Sequence, residues 1–98
     1  MSSATTPAAV DVRHEPDRQR FVAVLDGLEG EASYRMDGPV VVMHHTEVDP
    51  RLQGRGVAAA MVAFALDHAR AQGLKVRPTC SYVAAYFRRH AEQRDLLA

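Results

Sequence analysis

Arg51-Leu52-Gln53-Gly54-Arg55-Gly56-Val57-Ala58 joins two unlike parts of the chain. Upstream, residues 40–48 are rich in Val, a residue type that suits a pleated, half-buried surface. Downstream, Val57, Met61, Phe64, Ala65 and Ala69 recur at helical spacing, and Val62 and Leu66 widen the stripe. The octet therefore reads as a strand-to-helix junction with two glycines one residue apart. Glycine has no Cβ, so the backbone there can turn sharply and let a bulky anion approach. The first N–H groups of a helix lack an acceptor inside the helix and carry the positive end of its dipole. Such a junction binds phosphate. Arg51 and Arg55 add positive charge beside it, and the expected ligand is a phosphorylated cofactor rather than a lone metal ion.

Two familiar phosphate loops fit poorly. A P-loop needs Lys and then Ser or Thr directly after its last glycine, and Val57 and Ala58 follow Gly56. A dinucleotide fingerprint needs an acidic residue at the end of the next strand, where Lys75 and Arg77 stand.

Working outward, residues 10–14 alternate weakly and suggest a short edge strand. Residues 21–25 form a second strand, and Asp26-Gly27 a turn. Residues 29–36 form a third strand, with Ala32, Tyr34 and Met36 on one face. Asp37-Gly38-Pro39 turns the chain into a central strand over 40–48. The helix over 54–72 meets Gly73 as its cap. Leu74 to Val76 is a short strand stopped by Pro78, and residues 81–90 form a second helix with Val83, Tyr86 and Phe87 as core candidates. Asp95-Leu96-Leu97 is expected to dock at the end. The order β-β-β-β-α-β-α gives an α/β fold, a mixed sheet with helices packed on it. Residues 10–98 form one domain, preceded by an unstructured segment over residues 1–9.

The pattern Arg-x-x-Gly-x-Gly, filled by Arg51, Gly54 and Gly56, resembles the pyrophosphate loop of the GNAT superfamily, the acetyl-CoA-dependent N-acetyltransferases. His45-Thr46-Glu47-Val48 before the loop, and Pro78-Thr79-Cys80-Ser81-Tyr82-Val83 with Tyr86 and His90 after the helix, are similar to the small single-domain branch of that superfamily. That branch commonly shows His-Pro-Glu-Tyr near its end, whereas this chain reads His90-Ala91-Glu92-Gln93. The resemblance covers residues 21–97. It implies a GNAT-like sheet and acetyl-CoA held by Arg51, Gln53, Gly54, Arg55, Gly56, Val57 and Ala58. It also implies transfer of an acetyl group to an amine acceptor. In GNAT proteins the strand before the loop and the strand after the helix splay apart, and the pantetheine arm lies between them. The thioester is then expected near His45 and Cys80.

Three residues are candidates for the chemistry. His45 is the candidate general base, because imidazole is the side chain suited to proton transfer near neutral pH. Its neighbour His44 is expected on the opposite sheet face, while Glu47 shares His45's face and can orient it or act through water. The alternative is a packed, hydrogen-bonded histidine beside a solvated glutamate. Cys80 falls at a helix start, where the dipole favours thiolate. It is either an acetyl carrier, a neighbour of the cofactor sulfur, or a small core residue. Tyr82 and Tyr86 are possible acids for the leaving thiolate, or packing residues. His14, His68 and His90 are expected at the surface, and no metal site is expected, because the histidines and Cys80 match no familiar ligand spacing.

Composition narrows the partners. The chain has 98 residues, enough for one modest core, and is 47% hydrophobic, which suits a folded domain. Twelve basic and twelve acidic side chains give a formal net charge of +0, which disfavours nucleic acid or an anionic membrane as partner. A single cysteine excludes an internal disulfide and suits a reducing compartment. With no signal-peptide pattern and no long apolar run, the expected location is cytoplasmic. The leading expectation is an N-acetyltransferase. A non-catalytic CoA-binding or interaction module of the same fold is the alternative, and a thioesterase using Cys80 a third.

Overall fold

The structure, a computed structural model, describes residues 10–98; the expected unstructured segment over residues 1–9 lies outside the described residues. Five strands form one sheet in chain order: β1 (Asp11–Glu15), β2 (Arg20–Leu25), β3 (Leu28–Asp37), β4 (Val40–Val48) and β5 (Lys75–Pro78). The first four pair antiparallel and β5 pairs parallel to β4. Helix α1 (Val57–Ala71) makes the crossover between β4 and β5, and α2 (Ser81–Arg89) follows β5. The arrangement is the mixed, helix-backed sheet expected from the sequence.

Turn chemistry sets the hairpins. Asp26 and Gly27 both have positive φ, 53° and 75°, in the two-residue loop between paired Leu25 and Leu28. Positive φ at both central positions matches the right-handed twist of the flanking strands, and Asp-Gly tolerates it. Helix α1 ends where Gly73 takes φ 70°. There the Gly73 N–H donates to the Arg70 carbonyl and the Leu74 N–H to that of Ala69, the paired bonds of a Schellman cap.

The core lies between one sheet face and the two helices. Phe21, Ala23, Ala32, Tyr34, Val41, Met43 and Val76 pack beneath Val57, Met61, Val62, Ala65, Leu66 and Ala69 of α1 and Val83 and Phe87 of α2. The stripe differs from expectation at Phe64, which is 39% exposed and meets Phe21 edge-on at 6.0 Å between ring centroids. Truncating the fully buried Met61 to Ala is worth about 2–5 kcal/mol of stability. Helix α1 also comes close to the sheet at Gly30, where a Cβ would stand 3.2 Å from Met61 Cε.

His14 and His68 are not simple surface groups. His14 stacks on Phe21 at 4.4 Å and bonds Tyr34 Oη through Nε2 at 2.6 Å, and the His68 ring lies 4.4 Å away. The C-terminal segment docks as expected. Leu96 is buried, Leu97 bridges to Val76, and the Ala98 N–H donates to the Val76 carbonyl. This covers part of the outer edge of β5, which would otherwise leave unpaired backbone groups.

Two irregularities of β4 position the site. Pairing with β3 runs Tyr34 to Met43 and then Ser33 to His45, so His44 is an extra, bulged residue. Pairing with β5 stops at Met43, opposite Pro78. Beyond it, β4 runs on from His44 to Val48 with no strand beside it on that edge.

Candidate functional site

The loop after β4 begins with Asp49, whose carboxylate accepts from the Arg51 N–H and caps a short 3-10 turn, Pro50–Leu52. Leu52 is fully buried and anchors the turn in the core. Gly54 and Gly56 then take φ of 81° and 79°, a left-handed conformation that side chains resist. Gly56 is the N-cap of α1 and offers no side-chain cap. The N–H groups of Val57, Ala58 and Ala59 therefore begin the helix without an acceptor four residues back.

These groups face a cavity of about 450 Å³. Gln53, Gly54, Gly56, Val57, Ala58 and Ala59 line one side, and Thr46, Val48, Leu52 and Tyr82 the other. Five of the seven residues expected around a cofactor thus line it. Arg51 and Arg55 stand outside the lining, each held by a carboxylate: Arg51 to Asp49 at 3.0 Å and Arg55 to Asp26 at 2.9 Å. Both pairs are exposed and contribute little to stability.

Cys80 is the N-cap of α2 and is half-buried. Its N–H and that of Thr79 both donate to the Met43 carbonyl, which pins the start of α2 to the point where the two strands part. Its Sγ lies 3.7 Å from Thr46 Oγ1. Burial pushes the thiol pKa up, but hydrogen bonds from the Val83 N–H, the Thr46 hydroxyl and the N–H groups of Tyr82 and Thr46 outweigh it and leave the pKa below the usual thiol value. Burial raises the phenols of Tyr82 and Tyr86. Tyr82 lines the cavity, whereas Tyr86 stacks on His90 at 4.0 Å.

His45 and Glu47 sit elsewhere. Without the bulge, strand alternation would place them on the face of Val41 and Met43, above the core. With His44 bulged, Thr46 and Val48 take that face and line the cavity, while His45 pairs with Ser33 and Glu47 with Glu31 on the other face. The expectation that His45 faces the same cleft as Cys80 therefore gives way. His45 Nε2 lies 3.3 Å from Glu47 Oε1, and both are exposed. Glu31 joins them, with the ligand-type atoms of all three within 4.8 Å of one another. Arg20 already engages Glu31 at 2.7 Å, and also Glu15. Next to this group lies a hollow of about 410 Å³ lined by Glu29, Glu31, Glu47 and Asp49, with Gly30, Val48 and Pro50. Val48 borders both hollows.

Thr46 and the acidic hollow are the features that sequence reasoning missed. The period-two rule hid the first, because a bulge leaves no clear mark in sequence. The second joins residues from two strands whose register a sequence does not print.

Comparison with known proteins agrees with this fold. Residues 20–96 match the family described as GCN5-related N-acetyl-transferase. Protein NATD1 of Mus musculus is 34% identical over 95 residues, spanning 88% of this chain and 86% of that protein. Protein NATD1 of Homo sapiens is 34% identical over 80 residues, spanning 79% of this chain and 71% of its own length. The NMR structure of a GCN5-like protein from Staphylococcus aureus superposes with a TM-score of 0.72 at 23% identity, over 93% of this chain and 90% of that one. At that identity the superposition speaks for the fold.

Proposed function

This chain belongs to the GCN5-related N-acetyltransferase family, and from that premise we propose that it transfers the acetyl group of acetyl-CoA to a cationic amine. The observation that carries the reading is the uncapped N-terminus of α1, opening on a cavity that runs to Thr46 and Tyr82. A diphosphate fits there through the N–H groups of residues 56–59, with Gly54 and Gly56 keeping side chains out of its way. The pantetheine arm then follows the unpaired edge of β4 from His44 to Val48, between it and the start of α2. Acetyl-CoA supplies the thioester; the chain holds and orients it and moves protons.

The acceptor comes from the other face. The carboxylates of Glu29, Glu31, Glu47 and Asp49 attract a protonated amine. That amine must lose its proton before its nitrogen attacks the thioester carbon. His45, hydrogen-bonded to Glu47, is the base at that face. As the carbon–nitrogen bond forms and the carbon–sulfur bond breaks, the departing CoA sulfur takes up a proton. Cys80, with its stabilised sulfur, lies beside the leaving group rather than beside His45.

The test is CoA release from acetyl-CoA across a panel of amines, including diamines and lysine peptides. Release that requires an amine and favours dications is expected. Tight acetyl-CoA binding without turnover of any amine would favour a non-catalytic CoA-binding module. Release without any amine would favour a thioesterase.

No helix among the described residues is long and apolar enough to cross a membrane.

A further inference from the structure

We propose that Thr46, which lines the cavity, is a positioning residue that holds the Cys80 sulfur at the start of α2. The proposal rests on the reading of that cavity as the acetyl-CoA site, and its test separates the two.

Three observations converge on Thr46. The bulge at His44 turns it, and not His45, toward the helices. It lines the cavity together with Tyr82. Its hydroxyl contacts Cys80 Sγ at 3.7 Å and makes no other hydrogen bond among the described residues. Threonine is β-branched, so its χ1 is stiff and the hydroxyl is directed rather than free to wander. The contact joins the unpaired half of β4 to the first residue before α2, across the wedge where the two diverge.

The sulfur's other partners come from the backbone. Against the rise that burial causes, the backbone N–H groups of Val83 and Tyr82, on α2, and of Thr46, on β4, help to lower the thiol pKa. The one titratable neighbour in that set is Tyr82, whose phenol burial keeps protonated. A sulfur held by N–H and O–H donors carries negative charge more readily. The Thr46 hydroxyl is the one side-chain group in the set, so it alone can be removed without moving the backbone.

The experiment is the pH profile of Cys80 alkylation by iodoacetamide, read by mass spectrometry on the full chain, which has no other cysteine. Thr46→Val keeps the shape and removes the hydroxyl. Its midpoint should rise by about half to one pH unit, which makes alkylation below the midpoint roughly three- to tenfold slower. Thr46→Ser should return the rate to within about twofold of the parent, as restoring a hydrogen bond requires. A Thr46→Val profile superposable on the parent overturns the proposal. So does a Thr46→Ser profile that moves as far as Thr46→Val, since shape and not the hydroxyl would then matter. The parent protein gives a check that needs no variant: the Thr46 amide resonance should titrate with the midpoint of Cys80 alkylation, and a flat Thr46 amide across that range overturns the contact. Saturating acetyl-CoA should slow alkylation in the parent. A midpoint shift without that protection would sink the cofactor assignment and leave the Thr46 contact standing; protection without the shift would do the reverse.

Discussion

His45 shows how one residue resets the reading of a strand. The bulge at His44 carries it away from the core face and sets it beside Glu47, 3.3 Å away, near the acidic hollow. As the proposed base toward an incoming amine it should matter for turnover and little for cofactor binding. His45→Ala should lower kcat by about a hundred- to ten-thousand-fold with acetyl-CoA affinity nearly unchanged, by steady-state kinetics and calorimetry. A twofold loss, or less, would leave proton removal to Glu47 or water. His14 tests a second residue-scale point. Burial first, and then the nearby His68 ring, hold its pKa below the ordinary 6.5. The unfolded chain therefore binds this proton more readily than the folded one. The stability His14 contributes is complete above pH 6.5 and is lost as pH falls through the lower folded value. The melting temperature should drop on acidification through that window, and His14→Gln should flatten the drop. An equal slope in the variant would assign the acid sensitivity to other groups.

At the scale of elements, the loop and the seat of α1 carry the site. Gly54→Val and Gly56→Val force a branched side chain into positive φ and into the space where a diphosphate must come close. Each should weaken acetyl-CoA binding at least about tenfold while the core stays folded, by calorimetry with circular dichroism as control. Gly30→Ala tests the seat. Its Cβ would crowd Met61 Cε, Val48 Cγ2 and the Glu47 carbonyl at 3.2–3.3 Å, so α1 or its buried Met61 must give way. A loss of about 1–3 kcal/mol in denaturant unfolding is expected. The loop was legible in sequence because glycine, helix period and turn residues are local signals. The bulge was not: whether an extra residue enters β4 depends on how β3 pairs with it, a non-local fact. Phe64 was misread for a related reason, since helical spacing names a stripe but not how wide a sheet lies beneath it.

Across the whole molecule, two hollows flank the diverging half of β4, one lined by helix N–H groups and the other by carboxylates. A net charge of +0 conceals this division, because Glu29, Glu31, Glu47 and Asp49 gather at one hollow while the loop arginines are held in exposed pairs. The order of elements and the glycine loop at the start of α1 could be read from the chain. The acidic hollow could not, because Glu29, Glu31, Glu47 and Asp49 meet only when the β3–β4 register forms. The most direct measurement is an NMR titration of backbone amides with acetyl-CoA. Shifts confined to Gln53–Ala59, His44–Val48 and Cys80–Val83, saturating together, are the predicted result. Saturable binding that leaves the amides of Gly54, Gly56 and Val57 unmoved would contradict the cofactor assignment.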